Sequence, residues 1–164
     1  MSLFQNDRYR WRETYFVLFQ EANRPSAADI ERALRGLGDS YRITGVRCGE
    51  GGEFESLTIE SPFDFTAMDV SYVCGEEVQE QVGEMLKELR RGKLSPSEQA
   101  QWNALSKCNA RFDVYHFQRI VNHNGYADGD EDDFIDPGSL LLVLQRLAKL
   151  SHGVGIDPQT GVLL

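Results

Sequence analysis

Tyr15-Phe16-Val17-Leu18-Phe19 is an unbroken aromatic and aliphatic run, and its reading together with the elements after it decides the fold. A short continuous apolar run of this kind reads as a strand buried on both faces. Asn23-Arg24-Pro25 breaks it, and Ser26 with Asp29 three residues on has the form of a helix start. Ile30, Ala33, Leu34 and Leu37 then share one helical face, which Gly36 and Gly38 close. Strand patterns come next over 41–48, 54–60 and 67–74. In the first of these Tyr41 and Ile43 share a parity that Val46 and Cys48 lack, so a β-bulge is expected at Gly45.

The same order returns near the C-terminus. Phe112, Val114 and His116 alternate with Asp113, Tyr115 and Phe117. Asp136-Pro137 opens a helix over 137–150, the most apolar segment of the chain. Gly153-Val154-Gly155-Ile156 then leads through an Asp157-Pro158 turn to Val162-Leu163-Leu164. Between the two sets lie a helix over 76–91, with Val78, Val82, Met85, Leu86 and Leu89 on one face, and a short helix opened by Ser95-Pro96-Ser97-Glu98. These elements predict an α+β fold: an antiparallel or mixed sheet with helices mainly on one face. The architecture expected is a ferredoxin-like sandwich, with a pseudo-repeat of β-α-β-β halves. The rival arrangement is one larger sheet that the C-terminal strands complete. Residues 1–12 read as a polar lead-in and 13–164 as a single α+β domain, with a subdivision into 13–92 and 93–164 as the variant.

A chain of 164 residues can bury about 70% of its unfolded surface, enough for a core without staples. No apolar run approaches the roughly 20 residues that span a bilayer. Met1 to Asp7 lacks the basic-then-apolar pattern of a secretory leader. Cys48, Cys74 and Cys108 are odd in number, widely spaced and without a CxxC pair, so neither a disulfide framework nor a zinc site is expected. Cytoplasm is the expected location. Net charge is −9, and the ten acids between Arg47 and Lys87 meet no base. Phosphate contacts supply most nucleic-acid affinity, so this balance argues against a nucleic-acid binder. Arg8, Arg10 and Arg12 form a local basic patch, read as a solvated arm.

Four constellations bear on chemistry. Asn124-Gly125-Tyr126-Ala127-Asp128-Gly129-Asp130-Glu131-Asp132-Asp133 gathers the oxygen ligands that Ca2+ prefers, with Asn124, Asp128, Asp130 and Asp132 as candidate ligands. Its spacing fails the EF-hand pattern, because Tyr126 falls at position three and Ile135 where the bidentate Glu belongs. The preferred reading is a self-repelling solvent loop. His116, His123 and His152 show no metal-ligand spacing, and His116 reads as a satisfied core residue. Cys108 with Asp113, His116 and His123 is the one cluster joining a thiol, a carboxylate and imidazoles, the groups of a nucleophilic triad. Finally, Glu53, Glu55, Glu60, Asp64 and Asp69 lie on or beside two adjacent strand patterns, where carboxylates can perturb one another.

No phosphate loop, nucleophile elbow or dinucleotide fingerprint is present. The expected function is therefore a non-enzymatic cytoplasmic interaction or regulatory module, using an acidic surface or its sheet toward a protein partner or another copy of itself. The alternative is a small-ligand-sensing domain with no resident cofactor beyond Ca2+ at the acidic loop. A cysteine- or metal-dependent hydrolase is the third reading.

Overall fold

The computed structural model describes residues 2–89, 95–120 and 138–159. Among them the chain runs through β1 (Tyr9–Phe19), α1 (Ala27–Arg35), β2 (Arg42–Cys48), β3 (Phe54–Ser61), β4 (Thr66–Cys74), α2 (Glu76–Leu89), α3 (Pro96–Leu105), β5 (Ala110–Arg119), α4 (Gly138–Ser151) and β6 (Val154–Ile156). The strands form one six-stranded sheet of order β2-β3-β4-β5-β1-β6. Every neighbouring pair in it is antiparallel, so the fold is α+β with an antiparallel sheet. No helix among the described residues is long and apolar enough to cross a membrane.

Local signals explain most elements. The Ser26 hydroxyl accepts from the Asp29 N–H at 3.1 Å and starts α1. Ser95 and Glu98 close a full capping box at α3, with Pro96 in the first helical position. The bulge expected in β2 is present: register shifts between Thr44 and Arg47, and Gly45 takes φ +63°, a backbone state that costs glycine little. A second shift at Cys48 turns that side chain outward instead of toward the core.

Opposed residues in an antiparallel ladder share a face, which assigns the two sides of the sheet. One side carries Val17, Phe112 and Tyr72 in a cross-strand row. Helices α1 and α4 cover it with Ile30, Leu34, Leu140, Val143, Leu144 and Leu147. Burying each such side chain contributes about 1.5–3 kcal/mol, so this is the main core. The other side carries Leu18, Arg111 and Val73. Val78 and Val82 of α2 and Leu105 of α3 pack there against Leu18, Cys108 and Ile156. The expectation of helices mainly on one face is thus corrected: they pack on both. The cause is parity in β5, where even positions meet α4 while Arg111 faces α2.

One further expectation shifts. Residues 2–12 are no free polar lead-in, because β1 already starts at Tyr9 and Leu3 is buried against Ala67 and Phe117. In α4 the apolar arc is wider than the buried one, and Leu141 and Leu142 face outward. The hairpin return at 162–164 and the caps at Asp136 and Pro137 lie outside the described residues.

Candidate functional site

Among the described residues the second side of the sheet is covered at its ends. Helices α2 and α3 close one end. At the other, Ser2 and a 3-10 turn at Leu3–Gln5 lie across the strands as a strap. Register places Arg47, Ser56, Ser71 and Asp113 in one row across β2, β3, β4 and β5. The next row holds Thr58, Asp69 and Tyr115. Small hydroxyl side chains in both rows leave the floor low, and a trough of about 450 Å3 results, lined by Ser2, Phe4, Arg47, Ser56, Ser71 and Tyr115 among others. A volume of several hundred Å3 suits a small organic molecule.

The carboxylates beside this floor are committed to internal partners. Asp69 accepts from the Thr58 hydroxyl at 2.5 Å, the Leu3 N–H at 2.9 Å and the Ser2 hydroxyl at 3.2 Å. It therefore pins the strap to the sheet. Asp113 accepts from Arg111 Nε at 2.6 Å and from the Tyr115 hydroxyl at 3.4 Å. Arg111 in turn donates to Gln81, lies 3.7 Å from Glu77 and sits 4.7 Å over the Phe16 ring. Burial first, then the Asp113 charge, raises the Tyr115 phenol above its ordinary value, so it stays a proton donor near neutral pH. By contrast, Arg47, Ser56 and Ser71 make no side-chain hydrogen bond or ion pair with any described residue.

Comparison with family models, curated proteins and solved structures found no match. The chemistry of the chain's own residues carries the functional reading.

The described residues singled out for nucleophilic chemistry, Cys108, Asp113 and His116, are spread through the fold. Cys108 is packed between α2, α3 and the sheet, donates to the Ala104 carbonyl at 3.5 Å, and has its thiol pushed up to about 11 by burial. That environment opposes the thiolate a nucleophile needs. Asp113 and His116 have opposite parity on β5 and point to opposite sides of the sheet. His123 and the loop candidates Asn124, Asp128, Asp130 and Asp132 lie outside the described residues. Among the described residues no three His, Cys, Asp or Glu side chains form a group that could hold a metal ion.

Of the acids on β3 and β4, Asp69 enters the trough wall. Asp64 instead binds Ser61 at 2.9 Å and Ser139 near the start of α4. Sequence reasoning missed Arg47, Ser56 and Ser71. Ser56 shares the parity of Thr58, and Ser71 that of Asp69, yet nothing local shows that these two faces adjoin across strands.

His116 occupies the helix-covered side at 2% exposure, and neither ring nitrogen has a hydrogen-bond partner. Glu13 Oε1 stands 3.5 Å from Nδ1, too far and misaligned to offset burial fully. Burial therefore lowers its pKa. The Glu13 charge pulls the other way, and Arg12 adds to the lowering. A histidine whose native pKa lies below the unfolded value, about 6.5, stabilises the fold when neutral. That contribution is complete above pH 6.5 and is lost as pH falls toward the lowered native value. Thermal unfolding should show stability dropping below pH 6.5 by at most about 1.4 kcal/mol per pH unit from this group. His116→Leu should flatten that segment; parallel curves for variant and parent between pH 5.5 and 7 would refute the assignment.

Proposed function

We propose that this protein is a non-catalytic binding module whose receptor surface is the open side of the sheet, working as a small-ligand sensor. The observation that carries this reading is the trough itself: unpartnered hydroxyls and a guanidinium stand beside carboxylates already spent on internal hydrogen bonds. Such a surface can recognise a ligand but holds no free base or activated nucleophile. The buried Cys108 thiol lends a hydrolase no support. Exposed free Cys48 and Cys74 support a reducing, cytoplasmic setting. We carry the pseudo-repeat forward only for β1–α1 and β5–α4, adjacent antiparallel strands whose helices pack on one side. The strand order lends the ferredoxin-like comparison no support.

The test is a thermal-shift screen of small metabolites on the parent and on Ser71→Trp, whose indole would fill the trough from its floor. Ligand binding to the native state raises apparent stability. A compound that stabilises the parent and not the variant is the expected result. Equal stabilisation of both, or no stabiliser in a broad panel, counts against the reading.

A second reading rests on α2, where Glu76, Glu80, Glu84 and Glu88 recur at i,i+4 on the exposed face. Like charges at that spacing destabilise a helix, and Lys87 is the one cation on the described helix. A basic protein partner would relieve that repulsion. Salt-sensitive co-elution abolished by charge reversal at Glu80 and Glu84 would favour it over the trough.

A further inference from the structure

We propose that the trough selects a small organic anion, a carboxylate or phosphate carried on a flat apolar body, with Arg47 as its specificity determinant. This deepens the binding reading above and rests on it. Among the described residues two charged side chains line the trough, Asp69 and Arg47. They are not equivalent. Asp69 already accepts three hydrogen bonds, from Thr58, Leu3 and Ser2, so its oxygens are engaged and its charge is stabilised by fixed donors. Arg47 has no ion pair or hydrogen bond to any described residue and is exposed to solvent at the rim. The charged group in the trough that lacks a described partner is thus a cation. A planar guanidinium matches the paired oxygens of a carboxylate or phosphate.

The rest of the site fits the same ligand. Directly across the strands from Arg47 lie Ser56 and then Ser71, whose hydroxyls are also without described partners and can donate to an anion. Tyr115, whose phenol donates to Asp113, walls the far side. Phe4 supplies the surface for the flat body. Its ring stands edge-on to Tyr115 at 5.3 Å and to Phe117 at 4.8 Å, while 57% of the residue remains exposed. An aromatic side chain braced by two others yet left open on one side offers ready stacking area. The net charge of −9 slows the approach of any anion, but salt screens that field beyond about 8 Å, leaving Arg47 to act at close range.

The experiment is a 1H–15N NMR titration of the full chain with three probes: benzoate, its neutral isostere benzamide, and inorganic phosphate. Each is run on the parent and on Arg47→Gln, an exposed-site change that leaves the fold intact. Benzoate is expected to shift the Ser56, Ser71 and Tyr115 amides saturably, with affinity reduced at least tenfold in Arg47→Gln. Benzamide should bind at least tenfold more weakly than benzoate to the parent. Saturable phosphate shifts at the same amides, also lost in the variant, would assign the anion subsite to phosphate as well as carboxylate. Benzamide matching benzoate, or Arg47→Gln matching the parent, overturns the anion inference while the trough still binds. Shifts from every probe that avoid these amides overturn the trough reading itself.

Discussion

Phe112→Ala is expected to remove about 3–5 kcal/mol of stability, the range for deleting a buried aromatic ring. Phe112 has no exposed surface and stands near the start of β5, opposite Val17 on one neighbour and Tyr72 on the other. Its ring lies 4.5 Å from that of Phe19 and meets Phe54 edge-on at 5.7 Å. The variant loses both the transfer free energy of the ring and these contacts, and strands on two sides prevent the cavity from collapsing. At this chain length the loss lowers Tm by on the order of 10 °C. Phe63→Ala is the control, because Phe63 is 81% exposed and its removal should stay within about 0.5 kcal/mol. Equal effects from the two variants, read by denaturant or thermal unfolding, would show that β5 is not central.

Arg111→Ala should cost a similar amount, about 3–5 kcal/mol, for an electrostatic reason. The Arg111 and Asp113 side chains are 11% and 7% exposed, joined at 2.6 Å. Removing the guanidinium leaves a buried carboxylate with only the long Tyr115 hydroxyl bond at 3.4 Å. It also cuts the tie to Gln81, so hydrogen exchange should quicken in α2 more than in α4. Replacing both partners by apolar groups removes the stranded charge. Arg111→Met with Asp113→Leu should therefore recover most of the loss seen in Arg111→Ala. A double variant as unstable as the single one would mean that the lost stability lay in side-chain packing, not in the uncompensated charge.

These two residues also mark how far local sequence reaches. The run Tyr15 to Phe19, the Ser26 and Ser95 helix starts and the bulge at Gly45 are all local features, governed by side chains within a few positions. Each appears in the structure where the residues imply it. Strand order is different. That β5 inserts between β4 and β1 depends on pairings such as Val17 with Phe112, far apart in the chain. The start of β1 was hidden because Tyr9-Arg10-Trp11-Arg12 is charged and half-exposed, and only pairing with β5 makes it a strand. The trough was hidden for the same reason. Arg47, Ser56 and Ser71 are ordinary residues singly, and they become a site because register sets them in a row.

The central claim is that the trough on the sheet is the surface this protein uses. A crystallographic fragment screen with a library of small acids, amines and neutral molecules addresses it most directly. The account predicts density concentrated between Phe4 and Ser71, with acids over-represented and oriented on Arg47. Fragments gathering elsewhere while that space stays empty, or amines prevailing within it, would contradict it.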